Sequence, residues 1–160
     1  MANAVVELGP GSGSFTYKIL AQLDDSVPYL GIERNESFAG KLTEQLTAER
    51  IALGSAEQLT ALLVRHNIAG CNRIISGLPW AVFSAERQDK ILSEVANNLA
   101  QDGKFLTYAY FPFNLFLKGR AFQAKLQQHF KQVEKTEMVL NFPPAFIYIC
   151  SQPIVATPSL

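Results

Sequence analysis

The chemistry-bearing residues gather first in one run, Val5-Val6-Glu7-Leu8-Gly9-Pro10-Gly11-Ser12-Gly13-Ser14-Phe15-Thr16. An apolar stretch ends in an acid, three glycines follow at alternate positions, and a helix-like segment opens after them. A strand, a tight glycine turn and a helix start are how an α/β domain brings backbone close to a nucleotide. Glycines at 9, 11 and 13 let the main chain pass a bulky ligand without Cβ clashes. A second acid, Glu33, closes the next apolar run, Tyr29-Leu30-Gly31-Ile32. An acid at that distance can accept from both hydroxyls of a ribose.

The remaining polar candidates also fall where apolar runs end. Arg34 and Asn35 follow Glu33, Ser55-Ala56-Glu57 follow a third run, and Ser76-Gly77 close a fourth. Beyond them stand Leu78-Pro79-Trp80 and, on a fifth run, Tyr108 and Tyr110, whose aromatic faces could meet a cation. No histidine or acid stands out as a catalytic base, so the catalytic residue is left unassigned. Cys71 and Cys150 match no metal spacing, and no metal site is expected. His66 and His129 read as residues at the ends of amphipathic helices.

Apolar periodicity supplies the elements that must position these groups. Strands are expected at Ala4–Leu8, Tyr29–Glu33, Ile51–Gly54, Asn72–Ser76 and Lys104–Tyr110. Helices are expected from Ser14 to Leu23, after Asn35 as a cap, from Ser55 or Ala56 to a stop at Gly70, and from Ser84 to about Ala100. Arg87 stands where a capping box at Ser84 would need an acid or amide. Asp102-Gly103 reads as a turn. A helix over Asn114–Phe130 and strands over Val133–Asn141 and Ala145–Ser151 complete the chain. The link Phe142-Pro143-Pro144 is too short for a parallel crossover, so those two strands must pair antiparallel.

With 160 residues, 48% hydrophobic and 18% charged, the chain reads as one globular domain over 1–152 with a tail over 153–160. The net charge is zero, which gives no bulk signal for nucleic acid. No stretch reaches membrane-span length and no signal peptide precedes the first strand, so the default setting is cytoplasmic.

The Glu-x-Gly-x-Gly-x-Gly run differs from the dinucleotide pattern, with Ser14 where a third dinucleotide glycine would stand. It resembles motif I of the class I S-adenosylmethionine methyltransferases. The resemblance implies a Rossmann-like sheet of order 3-2-1-4-5-7-6 with strand 7 antiparallel and helices on both faces. It also implies helices upstream of strand 1, which are missing from this sequence; a partner in an oligomer could stand in for that cover. S-adenosyl-L-methionine is the implied cofactor and S-adenosyl-L-homocysteine its product. Glu7, Gly9, Pro10, Gly11, Gly13, Glu33, Arg34, Ser55, Ala56, Ser76 and Gly77 are the implied cofactor-binding residues. Glu7 would anchor the loop or reach the amino group through water. Ser55 stands where an acid usually meets the adenine, and Glu57 could substitute for it.

Leu78, Pro79, Trp80, Tyr108 and Tyr110 are the implied substrate residues. The start of the chain is similar to that of the adenine-N6 dimethyltransferases of ribosomal RNA, but Gly77 replaces the Asn that accepts from the base. Ser76-Gly77-Leu78-Pro79 and Asn141-Phe142-Pro143-Pro144-Ala145-Phe146-Ile147-Tyr148 instead resemble the bacterial phospholipid N-methyltransferases. That resemblance implies a small amine or a phosphatidylethanolamine-like headgroup as acceptor. It also implies peripheral contact at the inner membrane surface, with the apolar stretch Phe113–Leu117 as a lipid-facing lip. Methylation of RNA adenine, or S-adenosylmethionine binding without catalysis, are the alternatives.

Overall fold

The computed structural model describes residues 4–110, 117–138 and 144–155. Five parallel strands form its centre: β1 (Ala4–Leu8), β2 (Tyr29–Glu33), β3 (Ile51–Leu53), β4 (Cys71–Ser76) and β5 (Leu99–Tyr110). β6 (Phe130–Lys135) and β7 (Ala145–Pro153) follow. β7 pairs antiparallel with both β5 and β6. The sheet order is 3-2-1-4-5-7-6, as the resemblance implied. Chain order reverses at β1, so the β1–β4 boundary is the switch point where α/β sheets take ligands.

Every residue of β1 and β2 is buried, the mark of strands covered on both faces. The helices α1 (Thr16–Leu20), α2 (Glu36–Gln45), α3 (Leu59–Arg65), α4 (Ala85–Asn98) and α5 (Leu117–His129) connect the strands. α4 lays Ile91, Leu92 and Val95 into the main core at helical spacing. Asn35 caps α2, its Oδ1 accepting from Ser37 N at 3.0 Å and Phe38 N at 3.1 Å. Ser84 caps α4, accepting from Arg87 N at 3.3 Å. Each cap satisfies N–H groups that a helix start otherwise leaves unpaired.

Several boundaries move from the sequence expectation. α1 is a single turn and a half, although i-to-i+3 bonds carry a tightened coil on to Leu23. α3 stops at Arg65, not Gly70, because Asn67 takes the left-handed conformation (φ 57°) and lets Ile68 N bond Leu63 O. The expected Asp102-Gly103 turn lies inside β5, where the register jumps from Cys71↔Leu99 to Arg73↔Lys104. Asp102 and Gly103 therefore belong to a bulge in a longer strand. β6 begins at Phe130, directly after α5, and ends at Lys135. Pro153 is the last residue of β7, and Ile154 N bonds His129 O, so pairing runs into the expected tail. The lip Phe113–Phe116 and the link through Asn141–Pro143 lie outside the described residues. His66 caps the C-terminus of α3, and His129 ends α5, as expected. Cys71 and Cys150 are buried free thiols.

One buried acid ties the start of α1 to the sheet. Glu7 is 1% exposed, and its Oε2 accepts from Thr16 Oγ1 at 2.7 Å and from the Tyr29 hydroxyl. Burial holds this carboxyl above its ordinary value of 4.5, and the Tyr29 and Thr16 bonds pull it back only in part. The folded state therefore keeps the Glu7 proton at pH values where the unfolded chain has released it. Stability from this site is present below the unfolded value and is lost as pH rises through the folded one. Glu7→Gln keeps an oxygen acceptor for both hydroxyls and removes the titration. Its urea midpoint should fall less than the parent's between about pH 5 and about pH 8; an equal fall in the two proteins would contradict this account.

Candidate functional site

The expected site residues come together at the carboxyl ends of β1 to β5. The loop leaving β1 holds Gly9, Gly11 and Gly13 at φ +73°, +56° and +85°, conformations that favour glycine. A Cβ on Gly9 would come 2.9 Å from Leu78 Cδ2, and one on Gly13 would come 2.8 Å from Tyr17. These contacts are with the movable ends of side chains, so it is the left-handed backbone that calls for glycine at both positions. A Cβ on Gly11 would meet nothing within 4 Å, so its backbone borders open space. Pro10 closes the turn, its carbonyl accepting Gly13 N at 2.9 Å.

Glu33 faces this loop from the end of β2. Its Oε2 accepts from Gly11 N at 2.9 Å, and its Oε1 accepts from Asn35 N at 2.8 Å. The side chain thus holds the glycine loop in place. A carboxylate offers about four acceptor positions, so two remain for a ligand's hydroxyls. Glu33, Arg34 and Asn35 line an open cleft beside it. Glu7, by contrast, spends Oε2 on Thr16 and Tyr29, which ties the start of α1 to β2.

After β3, Ser55 caps a 3-10 turn, Ala56–Gln58, in a capping box: its Oγ accepts from Glu57 N at 3.3 Å, and Gln58 Oε1 accepts from Ser55 N at 3.4 Å. Ala56 is buried. Glu57 is occupied elsewhere. Its Oε1 lies 2.8 Å from Arg87 Nε in an ionic contact whose N–H is not aimed at the oxygen, and its Oε2 lies 3.4 Å from Lys90 Nζ. Glu57 is therefore tied to α4, which leaves Ser55, Ala56 and their backbone at this edge of the sheet.

β4 ends against the glycine loop. Gly77 N donates to Leu8 O at 2.8 Å, and a Cβ on Gly77 would lie 2.8 Å from the carbonyl oxygen of Gly9. No side chain fits there without moving backbone. Ser76 is buried, and its Oγ accepts from Leu78 N at 3.3 Å.

The five expected substrate residues, Leu78, Pro79, Trp80, Tyr108 and Tyr110, all line one cavity of about 200 Å³. Ala81, Ala109 and Phe122 complete its described wall. The cavity is smaller than the roughly 300–1,000 Å³ of a drug-sized pocket, so it suits a small group. Trp80 stacks on Phe122, with ring centres 4.9 Å apart. Tyr108 meets Tyr110 edge to face at 5.2 Å and touches the half-exposed Phe15 at 5.9 Å. The Tyr108 hydroxyl donates to Gly77 O at 3.4 Å. Burial first, then Tyr110, pushes the Tyr108 phenol up to about 12, so it is neutral at physiological pH.

Sequence reasoning passed over the groups that hold the loop between Gly77 and Trp80. Trp80 Nε1 donates to Thr107 Oγ1 at 2.8 Å, and Gln88 Nε2 donates to Trp80 O at 2.8 Å. Both partners are buried. Their signal was present: Gln88 interrupts the apolar stripe of α4 one turn before Ile91 and Leu92, and Thr107 sits on the inward face of β5 beside Phe105.

Known proteins agree with this geometry. Over 152 residues the chain is 28% identical to the ornithine lipid N-methyltransferase of Singulisphaera acidiphila, covering 93% of this chain and 76% of that protein. Among solved structures it superimposes on Aeropyrum pernix fibrillarin in complex with natively bound S-adenosyl-L-methionine (TM-score 0.70, 16% identity, 92% of this chain and 66% of that one). It also superimposes on a putative rRNA methylase from Clostridium thermocellum (TM-score 0.67, 16% identity, 98% and 89%). No protein-family model matches the chain. Fold and sheet order are those of the class I, S-adenosylmethionine-dependent methyltransferases, which the glycine motif also resembles. At 16% identity the solved structures speak for the fold, and the lipid enzyme is the relative whose sequence runs along this one.

Gly77→Ala tests the close approach of the two loops. The added methyl against Gly9 O should cost about 1–3 kcal/mol of stability, as overpacking of a tight site does. Gly11→Ala, whose Cβ meets open space, should cost about 1–2 kcal/mol through its left-handed backbone alone. Urea denaturation measures both; a neutral Gly77→Ala would mean the β4 loop is free to move away.

Proposed function

We propose that this chain transfers a methyl group from S-adenosylmethionine to the amine nitrogen of a lipid headgroup. The observation that carries the reading is the small apolar cavity lined by Leu78, Pro79 and Trp80, which follow Gly77 where that residue lies against the glycine loop. The sequence likeness to an ornithine lipid N-methyltransferase supports the same acceptor class.

The residues present fit the cofactor. The Gly11 backbone borders open space that a bulky ligand can enter, and Glu33 keeps two acceptor positions for ribose hydroxyls. In this reading Gly9, Pro10, Gly11 and Gly13 cradle the ligand, and Glu33 takes the ribose. Arg34, Ser55 and Ala56 border the adenine, and Ser76 and Gly77 face the methionine end. Bound there, S-adenosylmethionine supplies a methyl on a positively charged sulfonium, ready for in-line attack.

The protein's part is to position and to exclude water. Leu78, Pro79 and Trp80 hold the amine beside the cofactor, with Tyr108 and Tyr110 on the other wall. The apolar surroundings disfavour the ammonium form, so the nitrogen enters as the free base with its lone pair available. The N–C bond forms as the S–C bond breaks, and the nitrogen's surplus proton then leaves to solvent. No side-chain base is needed.

Gly77 argues against an adenine amino group as acceptor. In the adenine dimethyltransferases that the chain's start resembles, an Asn side chain at this position accepts from the base amine. Gly77 offers none, and the Gly9 carbonyl 2.8 Å from its would-be Cβ leaves no room for one. Labelled methyl transfer should therefore appear on liposomes holding amino lipids and not on RNA. Transfer to RNA alone would reverse the assignment. Glu33→Ala should weaken S-adenosylmethionine binding by about 1.5–3 kcal/mol, read by calorimetry, because a carboxylate accepting two hydroxyls is lost. An unchanged dissociation constant would reduce Glu33 to a loop staple.

A further inference from the structure

We propose that the cavity beside Gly77 is a site for quaternary ammonium, binding a methylated nitrogen in preference to a primary one. The inference rests on the acceptor reading of that cavity and names what its chemistry selects. Four aromatic side chains line it: Trp80 and Phe122, buried and stacked on each other, and the more accessible Tyr108 and Tyr110. Aromatic faces attract a cation through their quadrupole, and the attraction is stronger where water is displaced. No carboxylate stands among the described lining residues.

That combination separates the two kinds of cation. A primary ammonium has three N–H donors, and each one buried without an acceptor is costly. The described side chains offer only two phenol oxygens, and the Tyr108 hydroxyl is already directed at Gly77 O. A quaternary ammonium has no N–H. It needs only apolar contact and π faces, which this wall supplies. The phenol of Tyr108 stays neutral at physiological pH, so it cannot act as an anionic partner.

Trp80 is the only tryptophan of the chain, so fluorescence excited selectively at the indole band reports on this wall. The full chain, without cofactor or lipid, is titrated at constant ionic strength with choline, ethanolamine and 3,3-dimethylbutan-1-ol, the neutral shape mimic of choline. Choline should bind saturably and about tenfold or more tighter than ethanolamine, and clearly tighter than the neutral mimic. Tyr110→Leu, at a half-exposed position, should lose most of the choline response, whereas Tyr108→Phe should keep it because the π face remains. Equal binding of choline and ethanolamine would overturn the proposal. So would equal binding of choline and the neutral alcohol, which would make the cavity a plain apolar pocket, or no saturable response from a chain folded by circular dichroism. Choline selectivity without methyl transfer to any lipid amine would leave this site standing and sink the proposed reaction; transfer without selectivity would do the reverse.

Discussion

Leu8 O accepts the Gly77 N–H at 2.8 Å, and the rest of the site is arranged around that contact. It joins the exits of β1 and β4, the two strands on either side of the point where chain order reverses. Such strands diverge in their connections, which leaves a crevice between their carboxyl ends. Here the crevice has two backbones for a floor. A Cβ on Gly77 would meet the Gly9 carbonyl oxygen at 2.8 Å, and Leu78 lies over Gly9. A group bound by the first loop is held within reach of a group bound by the second because no side chains intervene.

Two buried networks keep that floor rigid, one on each side. On the cofactor side, Glu7 gathers hydroxyls from α1 and β2, while Glu33 takes backbone N–H groups from the glycine loop and from the start of α2. On the acceptor side, Thr107 and Gln88 hold the indole N–H and the carbonyl of Trp80. Burying polar groups costs free energy unless each is paired. The buried polar residues Glu7, Thr16, Glu33, Ser76, Gln88 and Thr107 all belong to these two networks or to the loop between them. The polar interior of the molecule is concentrated under the site, and elsewhere the core is apolar.

What could be read from the sequence follows from this layout. Motif I, the acid after β2 and the antiparallel end of the sheet were legible because each rests on a local rule: glycine spacing, a strand terminus, a connection too short to cross over. Boundaries were less legible where tertiary contacts overrode local signals. Asn67 ended α3 ahead of Gly70, since asparagine tolerates the left-handed conformation almost as well. Asp102 and Gly103, a turn by composition, were absorbed as a bulge because β4 pairs with the strand on both sides of it and β7 pairs with it from Lys104 onward. The role of Glu57 was also hidden. Its position in the first turn of a helix fits an adenine contact, but its ion pairs come from Arg87 and Lys90, thirty residues on.

Gly77 shows how a departure from a motif can be read in physical terms. From sequence alone, a glycine in place of an asparagine is a missing acceptor, which another residue might supply. In the structure it is also a missing volume, because the Gly9 carbonyl stands where a Cβ would go. The second statement is stronger. A lost hydrogen bond could be replaced by a neighbouring hydroxyl or by water. A backbone oxygen in the way can be cleared only by separating β1 from β4 at their paired ends, and that would undo the Leu8–Gly77 bond on which both loops depend. The loop after β4 thus closes on the glycine loop through backbone alone, and the wall beyond it, built from Leu78, Pro79, Trp80, Tyr108 and Tyr110, is mostly apolar and aromatic.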